Sequence, residues 1–184
     1  MMKNDFEIEI GNCKRQLKKV DTGSLSYYSF NLLGDMELNK EIAKELAKQI
    51  DVDFDYVVTI ESKAIALTQE LCSLLNVPRY VVIRKNKKNY MKNEISVSGN
   101  SIISGDTKYY LDGADKELIK NKNVIVIDDV ISTCGTIDAV KRMMDSIKTN
   151  IKLFGCGVLE EKIIIEYKKI KVVSCGFIPL EINK

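Results

Sequence analysis

No histidine and no tryptophan occur among the 184 residues, and there are only two prolines. Without histidine there is no Ser–His or Cys–His pair to activate a nucleophile, and a zinc site loses its commonest ligand. The five cysteines, at 13, 72, 134, 156 and 175, form no C-x-x-C pair. An odd number of scattered thiols argues against both a disulfide framework and a zinc cage. No run of about 18 apolar residues is present, so no membrane-spanning helix is expected. The opening residues, MMKNDFEIEIGNCKRQ, mix acids among the apolar side chains and lack the apolar centre of a secretory signal. A cytoplasmic location is the expectation. Charge of one sign is lacking too: 28 Lys and Arg stand against 26 Asp and Glu, a net +2, which leaves no general footprint for nucleic acid.

What is present is a chain 45% hydrophobic and 29% charged, long enough for a single domain over residues 1–184 with a real core. Apolar runs at 25–31, 56–60, 80–84, 124–128, 151–159 and 171–177 read as strands, several of them continuous like strands covered on both faces. Leu38, Ile42, Leu46 and Ile50 recur at helical spacing, as do Ile137, Val140, Met144 and Ile147, and residues 62–75 read as a third helix. This alternation predicts an α/β fold: an open, mostly parallel twisted sheet flanked by helices. Such sheets bind ligands beyond the carboxyl ends of their strands. The connection 86–123 breaks the rhythm. Its segment NEISVSGNSIISGDTKYYLDG reads as a flexible hairpin turning at Ser104, Gly105 and Asp106, and connections of that length are more often functional than idle.

The stretch VIVIDDVISTCGTIDAV, 124–140, concentrates the chemistry. Four apolar residues run into Asp128 and Asp129 at the carboxyl end of a buried strand, where paired carboxylates can accept bonds from sugar hydroxyls or orient metal-bound water. Ser132, Thr133, Cys134, Gly135 and Thr136 then precede a helix whose first amides have no intrahelical partner and carry the positive end of the dipole. Such a terminus attracts phosphate, and Gly135 lets the backbone come close. Separately, an acid ending a strand and a hydroxyl capping a helix are ordinary features. Joined in one strand–loop–helix unit they point to a phosphorylated sugar. Neither GxxxxGK[ST] nor GxGxxG is present.

Strand, Asp-Asp and a loop of this kind resemble the phosphoribosyl-pyrophosphate (PRPP) signature of the type I phosphoribosyltransferases, and the resemblance covers roughly residues 25–160. It implies that Asp128 and Asp129 are catalytic and serve the ribose hydroxyls, while residues 132–136 cradle the 5-phosphate. TIESKAIAL, 59–67, lies where this family has its pyrophosphate loop, which implies that role for Glu61, Ser62 and Lys63; Ala64 stands where glycine is usual. IRKNKKNYM, 83–91, is similar to the basic lid of the orotate enzymes, with Tyr90 where histidine is usual, and implies that Arg84, Lys85 and Lys88 meet pyrophosphate, Lys88 with a catalytic part. Cys134 also replaces a common glycine; its thiol is either activated by the helix terminus or buried and inert. The nine residues DDVISTCGT match the length found in adenine and xanthine enzymes, one more than in orotate enzymes. This favours a purine, adenine first and then xanthine or hypoxanthine.

The segment 27–47 resembles the hood and first helix of adenine-type members, which makes Tyr28, Ser29 and Phe30, beside Tyr27, the base-binding candidates. The hood would span about 1–37 and the lid about 86–112. No lid acid among Glu94, Asp106 and Asp112 stands out as the proton-transfer group. Mg²⁺ is implied as a cofactor carried on PRPP, with no direct protein ligand, reaching Asp128 and Asp129 through water. A homodimer is also implied, with neither a membrane nor nucleic acid as partner. Two other readings compete: a PRPP-binding regulator without catalysis, and a signalling receiver domain, whose aspartate pair would however follow its first strand.

Overall fold

The computed structural model describes residues 5–101 and 105–182. Its centre is a six-stranded sheet assembled from β5 (Tyr56–Ile60), β6 (Tyr80–Ile83), β9 (Asn123–Ile131), β10 (Asn150–Glu160), β11 (Glu166–Tyr167) and β12 (Ile170–Ile178), in the order β11-β12-β10-β9-β5-β6. All neighbours pair in parallel except β11 with β12. Four helices, α1 (Met36–Gln49), α2 (Ala64–Leu74), α3 (Gly113–Ile119) and α4 (Gly135–Ser146), complete the α/β architecture that the alternating pattern predicts. None of the described helices is long and apolar enough to cross a membrane.

Period-two alternation divides the core. Val124 and Val126 pack with Val140, Met143 and Met144 of α4, whereas Ile125 and Ile127 pack with Ile42 and Leu46 of α1 and with Leu67 and Leu71 of α2. Burial on both faces explains why β9 reads as an unbroken apolar run. It also fixes the register, because a one-residue slip would exchange the two sets.

Several elements differ from the sequence expectation. The strand expected over 25–31 stops early, as β4 (Leu25–Tyr28), and joins β3 (Lys19–Asp21) and β13 (Glu181–Ile182) in a small antiparallel sheet. Residues 6–17 form an unexpected hairpin of β1 (Phe6–Ile10) and β2 (Cys13–Leu17), whose Ile8 and Ile10 are buried in the α1 core. β9 runs on to Ile131, beyond the expected end at Asp128, so Asp129 as well as Asp128 lies within the strand, Asp128 beside Cys156 of β10. The expected hairpin is there, as β7 (Ile95–Ser101) and β8 (Gly105–Leu111). Ser104 of its expected turn lies outside the described residues. Tyr109 and Leu111 of that hairpin are buried in the main core, and a Cβ at Gly99 would fall 2.9 Å from Ala139 of α4. The hairpin therefore packs closely on α4.

Asp35 ties the N-terminal hairpin to α1. Its carboxylate caps the helix at the Leu38 amide (3.0 Å) and receives the Arg15 guanidinium at 2.7 and 2.9 Å. The guanidinium holds this carboxyl below the ordinary range. Asp35→Ala should cost about 1–2 kcal/mol at pH 7 in urea unfolding. The difference should shrink as pH falls through the depressed pKa, since only the ionised form stabilises. Equal stability of the two proteins at pH 7 would contradict this account.

Candidate functional site

β9 brings Asp128 and Asp129 to the carboxyl edge of the sheet, where both border a cavity of about 140 Å³. Lys85, Tyr109, Ser132, Cys134, Gly135, Thr136 and Glu160 also border it; of the loop residues, only Thr133 does not. Asp128 is 7% exposed, and its Oδ1 accepts the Asp129 amide at 2.9 Å. Burial first, and then the neighbouring charge of Asp129, push the Asp128 carboxyl well above the usual range. An acid so placed lacks water and gains from hydroxyl donors in the cavity.

The helices that face this edge are built differently from the others. α1 and α3 begin with capping aspartates, Asp35 and Asp112, whereas no side chain caps α2 or α4. The amides opening α4 are thus left for a ligand, which is the requirement for an anion site at a helix terminus. Cys134 leads into α4 with φ +65° in the left-handed region. A glycine would adopt that conformation freely; a cysteine is held there at a cost of about 1–2 kcal/mol. Burial raises the pKa of its half-buried thiol. Tyr109 Oη lies 3.3 Å from Thr136 Oγ1 and joins the β7–β8 hairpin to the loop.

Glu61 and Ser62 form the turn between β5 and α2. Glu61 gathers the basic segment: its Oε1 lies 3.2 Å from Arg84 and 3.3 Å from Lys88, and its Oε2 accepts the Lys85 amide at 3.0 Å. Burial opposes ionisation, but the Lys85 amide, Lys88 and Arg84 outweigh it and lower the Glu61 pKa. Glu61 thus competes for the cations assigned to the same anion as itself. Arg84 also donates to the Tyr90 hydroxyl at 3.2 Å. Lys63 lies elsewhere. Its ammonium donates to the Phe30 carbonyl at 3.0 Å and is 3.7 Å from Asp129.

Lys63, Tyr27, Tyr28, Ser29 and Phe30 border a second cavity of about 210 Å³, which shares Asp129, Val130 and Glu160 with the first. The candidate base-contacting residues are thus brought together. The Tyr28 hydroxyl is engaged with Glu181 at 3.1 Å and its ring packs on Phe6. Of the lid acids, Glu94 pairs with Lys87 and Asp112 caps α3; the Asp106 side chain lies outside the described residues. Glu160 and Tyr109 are site residues that sequence reasoning missed. Glu160 did carry a signal: it ends the buried run of β10 beside the aspartates of β9, as an acid where an apolar residue would otherwise stand.

An open, mostly parallel sheet with paired acids and an uncapped helix at its carboxyl edge defines an α/β protein with a polar site beyond the ends of its strands. The chain matches the phosphoribosyl transferase domain family over residues 33–179, and it belongs to that family. A hypoxanthine/guanine phosphoribosyltransferase of Methanothermococcus okinawensis is 32% identical over 126 residues, covering 68% of this chain and 65% of that protein. A purine biosynthesis transcriptional repressor of Bacillus subtilis is 27% identical over 179 residues, covering 92% of this chain. The chain spans 60% of the repressor's length. Among solved structures, an adenine phosphoribosyltransferase from Thermoanaerobacter pseudethanolicus superposes with a TM-score of 0.70 at 16% identity, covering 88% of this chain and 95% of that one.

Two outcomes follow for the unliganded protein. Asp128→Asn should raise stability once pH rises above the ordinary carboxylate range, on the order of 1–3 kcal/mol, because it removes the cost of ionising a buried acid beside Asp129. A raised pKa makes the wild type lose stability as pH rises through it. The gain should therefore vanish near pH 3, and a gain independent of pH would contradict the assignment. Cys134→Gly should unfold at the same or a higher temperature, whereas Cys134→Val should lose about 1–2 kcal/mol.

Proposed function

We propose that the protein transfers the phosphoribosyl group of PRPP to a ring nitrogen of a purine and releases pyrophosphate. The observation that carries this reading is the placement of Asp128 and Asp129 on the same cavity as the uncapped start of α4. The carboxylates accept the ribose hydroxyls, and the backbone amides around residues 132–136 hold the 5-phosphate. The sugar is then gripped at both ends, which fixes its anomeric carbon between the two cavities. Lys85 borders the first cavity, and Arg84 and Lys88 stand behind it on Glu61. These cations oppose the charge that gathers on the departing pyrophosphate. The purine enters the cavity beside Tyr27, Tyr28, Ser29 and Phe30, where aromatic faces and backbone groups receive it.

Mg²⁺ fits this arrangement in a particular way. Among the described residues there is no group of three or more acids or thiols able to cage a metal. Asp128 and Asp129 on one open cavity would suit a Mg²⁺ that keeps its waters and arrives with the substrate. When bound there, it neutralises pyrophosphate charge.

The purine class is the ground shared by the archaeal relative and the structural neighbour, whose names differ in the base. Adenine, favoured by the nine-residue motif, is one member of that class. Two observations favour a second reading, binding of PRPP without transfer: Glu61 already occupies Arg84 and Lys88, and the match to the repressor covers most of the chain.

Pyrophosphate release with PRPP, Mg²⁺ and adenine, guanine, hypoxanthine, xanthine or orotate separates the readings. Release with at least one purine and none with orotate is expected, and Lys85→Ala should lower kcat/KM by about 10²-fold. PRPP binding with no release across the panel would replace transfer with sensing.

A further inference from the structure

We infer that Glu160 reads the acceptor base, its free carboxylate oxygen accepting a hydrogen bond from the N1–H edge of a 6-oxopurine. This rests on the phosphoribosyl-transfer reading and specifies the base.

Glu160 ends β10 and is 3% exposed, yet its Oε2 has no hydrogen-bond partner among the described residues. A buried acceptor left unmatched costs about 1–3 kcal/mol, more when charged. A ligand that brings a donor into the adjoining cavities would satisfy it. Its location says which ligand. Glu160, Asp129 and Val130 are the residues that border both cavities. A nucleotide whose ribose rests on the aspartates and whose base lies beside Phe30 has its glycosidic bond at this junction, and its ring edge passes Glu160.

A resident cation is the obvious rival occupant. The described residues hold no three-ligand group. Burial raises the Glu160 pKa, opposed first by a bond from Ser132 and then by the charge of Lys63, whose ammonium is bonded to Phe30 and close to Asp129. A neutral donor therefore matches the free oxygen better than a metal.

The chemistry of the edge then selects among purines. Hypoxanthine, guanine and xanthine all carry a proton on N1, and guanine adds an amino donor beside it. Adenine has a bare N1, whose lone pair would face the carboxylate. Sites built to bond an N–H reject the analogue lacking it, because their own polar group is left stranded.

The test is calorimetric, on the full chain, with ribose 5-phosphate, inosine 5′-monophosphate and purine riboside 5′-monophosphate. The last is the inosine nucleotide without the 6-oxo group and the N1 proton. The inosine nucleotide should bind about 10-fold more tightly than purine riboside 5′-monophosphate. Glu160→Gln should narrow that ratio by more than any change it makes in ribose 5-phosphate affinity. Equal affinity of the two nucleotides alongside firm ribose 5-phosphate binding overturns the role of Glu160 alone, and needs no variant to fold. A Glu160→Gln protein that loses ribose 5-phosphate and nucleotide equally also overturns it, by making Glu160 a support for the sugar site. Failure of the wild type to bind ribose 5-phosphate at all overturns the transfer reading and this inference with it.

Discussion

The structure turns on a buried acid held against a second acid. Asp128 is almost wholly removed from water at the end of an apolar run, with Asp129 next to it in the chain. Neither an ion pair nor a metal cage among the described residues relieves Asp128. Burial and the neighbouring charge of Asp129 instead raise its pKa and favour the neutral acid. In the proposed function, sugar hydroxyls would supply the polar contacts that water cannot.

The same logic recurs around the edge of the sheet. The α4 terminus is left uncapped although the fold caps α1 and α3 with aspartates. Glu160 keeps an oxygen without a partner. The basic segment is the exception, since Glu61 satisfies Arg84 and Lys88 internally. In the proposed function, an incoming pyrophosphate would have to draw those side chains off a carboxylate. Glu61 thereby preorganises the cations near the cavity and weakens their hold on the anion at the same time. The β7–β8 hairpin reaches the loop at 132–136 through Tyr109 and Thr136.

Much of this was legible in the sequence, for physical reasons. Strands buried on both faces leave continuous apolar runs, so β5, β9 and β10 stood out, and the 3.6-residue period exposed α1 and α4. The motif at 128–136 was readable because it sits where one period changes into the other. The N-terminal hairpin was missed because its alternation, Phe6, Ile8, Ile10, is too short to separate from a polar terminus. α3 was missed because its seven residues are too few to show a period. The direction taken by Lys63 and the pairing of Glu61 with Arg84 depend on contacts between segments 23 or more residues apart, which no local pattern records. Glycine positions behaved differently: Cys134 in the left-handed region shows why glycine is common there, a backbone fact that residue identity alone only hinted at.

The account stands on a sugar held between the acids of β9 and the amides that open α4. A crystal structure of the protein with ribose 5-phosphate tests that directly. The account predicts the ribose hydroxyls within hydrogen-bond distance of Asp128 and Asp129 and the phosphate on the backbone amides of residues 132–136. A sugar bound elsewhere, or both carboxylates turned away from it, would contradict the account.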